Sequence, residues 1–219
     1  MRHPQRALHL GTPDWPTLAS FVPGNNLELL QRLADDGPGF RVLWLYADDC
    51  LGKTHVLKSV AGHGGYRSAR LGIDALRFSD ALPPTIAVDD VAWIIGDRGR
   101  EEALLALYQR CFDARVRLLV ASRCPVRALA PLLPDLASRL RAFEVFALAP
   151  PDDSGRRAIL RRLALRRGVP LDEEVIDFWL LRSHRSLRSL TEALELVVDF
   201  ALGARRPITV PLLKEALDW

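Results

Sequence analysis

Four short apolar runs mark the chain up to about residue 150: Val42-Leu43-Trp44-Leu45-Tyr46, Thr85-Ile86-Ala87-Val88, Val116-Arg117-Leu118-Leu119-Val120-Ala121 and Val145-Phe146-Ala147-Leu148. Each is short, rich in aliphatic residues and closed by a polar or Pro-containing segment, which is the pattern of a buried strand. Between them the period changes. Glu101 to Phe112 (EEALLALYQRCF) repeats apolar residues every three to four positions, and His55-Val56-Leu57-Lys58-Ser59-Val60 has the same helical character. Strands alternating with helices predict a parallel sheet flanked by helices.

After Pro150-Pro151 the strand signals largely vanish. Asp152-Asp153-Ser154 is a helix-start signature, and helical patterns follow at about 156–167, 173–182 and 186–202. Ile208-Thr209-Val210 then leads into a last short helix from Pro211 to Leu217. A domain boundary is therefore placed near Pro150, giving an α/β domain at 21–150, a small all-helical domain at 151–219, and an N-terminal segment at 1–20. No internal repeat or low-complexity tract interrupts this order.

Composition narrows the class. The chain has 219 residues, 49% of them hydrophobic, enough to build an ordinary core. No apolar run approaches the roughly 18 residues that span a bilayer, and the N-terminus lacks the apolar stretch of a signal peptide, so a cytoplasmic location without membrane contact is expected. Cys50, Cys111 and Cys124 share no paired spacing and read as reduced thiols. His3, His9, His55, His63 and His184 are scattered and suggest no metal cluster. The net charge of +3 is too small to argue for nucleic-acid binding. Six arginines (156, 157, 161, 162, 166 and 167) nevertheless recur in pairs about one helical turn apart. Two readings stay open for them: the polar face of an amphipathic helix, or a contact for DNA or an acidic partner.

The candidate chemistry begins at Ala47-Asp48-Asp49-Cys50-Leu51-Gly52-Lys53-Thr54-His55. A phosphate-binding loop has the form G-x-x-x-x-G-K-[ST], lies between a strand and a helix, and uses backbone N–H groups, a Lys and a hydroxyl on Mg²⁺ to hold phosphates. Gly52, Lys53 and Thr54 satisfy the end of that pattern, whereas Ala47 replaces its first Gly and two carboxylates follow. The second motif is Asp89-Asp90 at the end of an apolar run, where Asp89 is suited to the Mg²⁺ shell and Asp90 to orienting water. The crowded, acidic front of the loop predicts a site that hydrolyses slowly or favours the diphosphate. A relic that no longer binds nucleotide is the alternative.

These motifs resemble those of the AAA+ ATPases, and within them the DnaA/Hda branch. Cys50-Leu51-Gly52-Lys53-Thr54-His55 is similar to the branch's Walker A, Ile86-Ala87-Val88-Asp89-Asp90 to its Walker B, and Leu118-Leu119-Val120-Ala121-Ser122 to its sensor 1 strand. Arg123 stands where an Asp is common, which argues against a catalytic role for Ser122 or Arg123. Pro134-Asp135-Leu136-Ala137-Ser138-Arg139-Leu140 resembles box VII, whose Arg is an arginine finger offered to a neighbouring subunit's nucleotide. In GTPases such a finger accelerates hydrolysis by about 10³–10⁵. Arg185-Ser186-Leu187-Arg188 resembles sensor 2, which implies that Arg188 reaches the phosphates in cis. Phe21 to Asn26 resembles the segment that lies against adenine, and 206–217 resembles the end of Hda proteins.

The resemblance implies an AAA+ P-loop module followed by a helical lid, with ADP or ATP and Mg²⁺ as cofactors. Gly52, Lys53, Thr54, His55, Asp89 and Arg188 would form the nucleotide site, with Thr54 and Asp89 on the metal. An initiator would carry a helix-turn-helix domain after the lid, whereas this chain stops at Trp219, so the Hda side of the branch is expected. Gln5-Arg6-Ala7-Leu8-His9-Leu10 resembles the clamp-binding peptide of Hda proteins, with Gln5, Leu8 and Leu10 in register. The function so implied is regulatory inactivation of DnaA. The partners would be DnaA and the sliding clamp (the polymerase beta subunit), with DNA reached through the clamp complex; self-association is left open, as is a weak ATPase activity of the chain's own. A DnaC-like helicase loader and a nucleotide-independent adaptor remain the alternatives.

Overall fold

The computed structural model describes residues 15–35, 37, 39–47, 50–183 and 186–219. These divide into two compact units, one of Trp15–Phe21 with Asn25–Ala149 and one of Val22–Gly24 with Pro150–Trp219.

In the larger unit, five parallel strands run β1 (Val42–Tyr46), β2 (Tyr66–Ser68), β3 (Thr85–Asp89), β4 (Arg117–Ser122) and β5 (Glu144–Ala147), in the spatial order β2-β3-β4-β1-β5. Four of them are the apolar runs, displaced by a residue or so. The fifth, β2, is a three-residue edge strand with no apolar run to announce it, and it pairs Tyr66, Arg67 and Ser68 with Ala87, Val88 and Asp89. In the register Leu43↔Leu119 and Trp44↔Val120, β1 lies against β4, which in turn lies against β3 with Ala87↔Leu119. The carboxyl ends of β1, β4 and β3 therefore lie side by side, and both candidate motifs begin there.

Helices α1 (Leu27–Ala34), α2 (Lys53–Gly65), α3 (Arg98–Asp113) and α4 (Pro134–Arg141) cover the sheet. One core joins Trp44, Ile86, Val88, Leu118 and Val120 of the sheet to Leu104, Leu107 and Cys111 of α3 and to Leu136 and Leu140 of α4. A second joins Leu43, Leu45, Ala87 and Leu119 to Val56 and Leu57 of α2 and Leu29 and Leu33 of α1. Alternate residues of each strand serve opposite faces, as a sheet covered on both sides requires. Burial pushes the Cys111 thiol up to about 12, so it stays protonated in its apolar setting.

Before α1, the buried Asn26 closes the unit on itself. Its Nδ2 donates to the Ala149 carbonyl at 3.1 Å, and its Oδ1 accepts the Ala149 N–H at 2.8 Å. One amide thus satisfies both backbone groups of a residue just past β5.

The smaller unit is built from α5 (Asp153–Arg166), α6 (Glu173–Arg182), α7 (Leu187–Ala204) and α8 (Val210–Leu217). Asp152 caps α5, accepting the Gly155 N–H at 2.7 Å, and that bond leads the interactions holding its carboxyl below the usual range. Ile176, Trp179, Val197, Val198, Leu212 and Leu213 form the centre of its core. Four of the six paired arginines on and just after α5 meet carboxylates within the unit. Arg156 meets Asp153, Arg157 meets Glu173 and Asp177, Arg161 meets Glu173, and Arg167 meets Glu195 and Asp199. In these four the charge goes to carboxylates of α5 itself, α6 and α7, as on the polar face of an amphipathic helix. Among the described residues no helix is long and apolar enough to cross a membrane.

Replacing Asn26 with Ala strands the Ala149 N–H and carbonyl. A loss of about 2–3 kcal/mol in unfolding free energy is expected from urea denaturation, and a change below ~0.5 kcal/mol would show that water repairs the site.

Candidate nucleotide site and the α4 arginine

The loop from β1 to α2 needs a sharp entry into the helix, and Gly52 provides it at φ 93°, ψ 16°. A Cβ there would also sit 2.9 Å from the Phe21 ring, so glycine is required both by the backbone and by the packed aromatic. Lys53 follows as the first residue of α2, and its Nζ donates to the Ala47 carbonyl at 2.8 Å, drawing the two ends of the loop together. Asp48 and Asp49, the acidic front of the loop, lie outside the described residues.

Thr54 and Asp89 come from different motifs and meet. The Thr54 hydroxyl donates to Asp89 Oδ2 at 2.5 Å, and the Tyr66 hydroxyl donates to the same oxygen at 3.2 Å. Asp89 is buried, and its other oxygen accepts the Asp90 N–H at 2.9 Å. Burial, and then the charge of Asp89, push the Tyr66 phenol well above its ordinary value, so it remains a donor. Tyr66 is a site residue that the sequence did not reveal. It starts β2, the strand without an apolar signature, and only pairing with β3 brings its hydroxyl to Asp89.

Asp90 has a left-handed backbone, φ 57° and ψ 37°, and its carboxylate takes a two-pronged contact from Arg70, Nε to Oδ2 at 2.7 Å and Nη2 to Oδ1 at 3.3 Å. His55 Nε2 lies 3.1 Å from the Thr17 carbonyl and 2.9 Å from Ser20 Oγ. A carbonyl only accepts, so Nε2 carries the proton, and His55 holds the Thr17–Ser20 turn against α2. Ser122 is buried at the end of β4, and Arg123 is exposed. Arg188 lies on the first turn of α7, in the smaller unit. Gln5, Leu8 and Leu10 lie outside the described residues.

Arg139 stands on the last turn of α4, whose Leu136 and Leu140 are buried. The Arg139 side chain is exposed in a shallow groove with Glu102, Leu105, Gln109 and Asp135. Its guanidinium lies over the Tyr108 ring, 5.2 Å from the centroid, and it makes no ion pair with any described residue. The start of α4 is set by a residue that the sequence presented only as the beginning of a helical pattern. Glu101 is fully buried, and its carboxylate accepts the Gly96, Leu132 and Leu133 N–H groups at 2.8, 3.0 and 2.8 Å. Burial alone would raise the Glu101 carboxyl, but the three donors outweigh it and hold the group below its ordinary 4.5. Leu133 is the N-cap of α4, so this carboxylate fixes where the Arg139 helix begins.

The fold is similar to domain III of the replication initiation protein DnaA of Thermotoga maritima, with a TM-score of 0.78 and 22% identity over 94% of this chain and 97% of that one. It is also similar to AMPPCP-bound DnaA from Aquifex aeolicus (TM-score 0.65, 19% identity, 90% of this chain and 69% of that one). The RuvB Holliday junction branch migration motor of Thermotoga maritima matches at a TM-score of 0.65 and 16% identity, over 92% and 71%. The chain thus shares the fold of these proteins, a parallel sheet flanked by helices, followed by a C-terminal helical unit. Residues 153–217 match the family model described as Hda, lid domain.

Glu101→Gln keeps the shape but cannot accept all three N–H bonds, so a loss of about 2 kcal/mol is expected in urea denaturation at neutral pH. Because the folded value lies below the unfolded one, the stability contributed by Glu101 is present above about pH 4.5 and disappears as pH falls through the folded value. The gap between wild type and variant should therefore close on acidification; a gap independent of pH would contradict this account.

Proposed function

We propose that this chain regulates replication initiation by stimulating hydrolysis of ATP bound to DnaA, with Arg139 supplied in trans. The observation that carries the reading is the combination of an exposed α4 guanidinium, free of carboxylate partners among the described residues, with an Hda-type lid on the same chain. A guanidinium has the planar charge and donor geometry to neutralise a γ-phosphate as the terminal bond breaks, and it does so without a proton of uncertain location. The anchored start of α4 supports the same reading, since an arginine offered across a boundary must be held at a fixed height above its own domain.

The chain's own site suits a nucleotide held as a structural ligand. Gly52 and the α2 N-terminus are proposed to offer backbone donors, Lys53 to exchange its Ala47 carbonyl for the outer phosphates, and Thr54 with Asp89 to serve as the oxygen pair for Mg²⁺. Arg188 is the lid residue proposed to meet the phosphates, with ADP or ATP as the ligand, and Asp90 is the acid proposed to align water in any turnover. Residues 5–10, with Gln5, Leu8 and Leu10 as anchors, are proposed to bind the sliding clamp and so bring Arg139 to DnaA on DNA. The domain limits at 20/21 and 150/151 belong to the same proposal.

Hydrolysis of DnaA-bound ATP, measured with clamp-loaded DNA, is expected to lose about 10³-fold of its stimulation in Arg139→Ala. Thermal stability should stay within about 0.5 kcal/mol of wild type, because the side chain is exposed. Equal stimulation by the two proteins would end the reading. Lys53→Ala is expected to weaken fluorescent-ADP binding by tenfold or more, on the order of one charge-assisted phosphate contact; unchanged binding would remove Lys53 from the site.

A further inference from the structure

Charge in the smaller unit is unevenly matched. Arg156, Arg157, Arg161 and Arg167 meet carboxylates. Arg182, on the last turn of α6, and Lys214, on the last turn of α8, form no ion pair with any described residue. Both lie instead against one ring, the Arg182 guanidinium and Lys214 Nζ each 5.2 Å from the centroid of Phe178. Trp219 joins the cluster with its ring 6.3 Å from that of Phe178, and its N–H donates to the Lys214 carbonyl at 3.0 Å. Leu181 lies one turn on from Phe178 along α6 and is 85% exposed, and Trp219 is 40% exposed. A cation resting on an aromatic ring keeps its outward donors open. This end of α6 and α8 is therefore apolar at the surface and carries two positive charges that no carboxylate of the chain neutralises.

We propose that this face docks an acidic peptide segment of a partner protein, which seats a bulky apolar side chain against Leu181 and Trp219 and sets carboxylates on Arg182 and Lys214. The inference depends neither on the nucleotide site nor on Arg139. An apolar anchor with charges beside it is a common mode of peptide recognition, in which the anchor supplies affinity and the charges select the partner.

Charge decides the occupant. Residues 1–14 of this chain carry Arg2, Arg6 and a single carboxylate, Asp14, and so have the wrong sign. A nucleic acid needs a continuous basic track, and the first half of α6 interrupts one with the exposed Glu173, Glu174 and Asp177. A short acidic peptide needs only the far end of the helix, where Arg182 and Lys214 share the Phe178 ring.

The test uses the full chain and a fluorescein-labelled peptide with a central Phe between two runs of Asp, followed by fluorescence anisotropy. Wild type is expected to bind it with a Kd below about 100 μM, and more weakly as NaCl is raised. Arg182→Glu and Lys214→Glu should each weaken binding by about tenfold, and Trp219→Ala by about fivefold. These side chains are exposed, so urea midpoints should match wild type. Should a charge reversal disturb folding, Arg182→Gln and Lys214→Gln replace it, with an expected loss of about threefold each. Absence of binding at about 1 mM, affinity unchanged in the folded variants, or equal binding of a peptide flanked by Lys would overturn the proposal. So would tighter binding of an oligo(dT) strand that the same substitutions abolish, which would make the ligand a nucleic acid. A dimer in sedimentation that the charge reversals dissolve would also overturn it, by making the occupant a second copy of this chain.

Discussion

A buried carboxylate with no cationic partner is expensive unless backbone donors replace the water it has lost, and Glu101 meets three of them. Those donors lie on two segments, the turn at Gly96 and the approach to α4 at Leu132 and Leu133. The one side chain therefore joins the start of α3 to the start of α4. With Leu136 and Leu140 of α4 buried, Arg139 points outward, where its guanidinium lies over the Tyr108 ring. The proposed function depends on that chain of constraints more than on any property of Arg139 itself.

Sheet order supplies the second constraint. Because β4 lies between β1 and β3, the phosphate-type loop and the acidic end of β3 open on the same edge, and Thr54 reaches Asp89 across it. The contact between hydroxyl and carboxylate is short because both are anchored, Thr54 by the first turn of α2 and Asp89 by strand pairing. Next to it, Asp90 leaves the strand and is claimed by Arg70. Two residues of identical chemistry one position apart are thus given different partners by backbone conformation and neighbours.

The smaller unit handles charge differently. Its arginines on α5 spread over carboxylates of α5, α6 and α7, and individually such exposed pairs contribute little stability. They lie outside a core centred on Trp179 and Val197, and Arg157, Arg161 and Arg167 are paired with carboxylates there.

Much of this was legible in the sequence, because period and punctuation are local. The apolar runs at 42, 85, 116 and 145 became strands, Asp152 became a helix cap, and Gly52-Lys53-Thr54 and Asp89-Asp90 announced an oxygen-rich site at strand ends. The motif resemblance also anticipated the fold shared with DnaA domain III and the match of residues 153–217 to the Hda lid model. Tertiary structure alone decided what lies far apart in the chain. The strand β2 exists because β3 offers it an edge, and Tyr66 reaches Asp89 for that reason. Nothing local distinguishes Glu101 from its exposed neighbour Glu102, and only packing buries one of them beneath the loop at 132–133. Likewise, Arg70 and Asp90 are twenty residues apart, and their pairing follows from the β2–β3 register. Hydrophobic period is written residue by residue, whereas the partner of a buried or pinned charge is set by which strands and helices the finished core brings together.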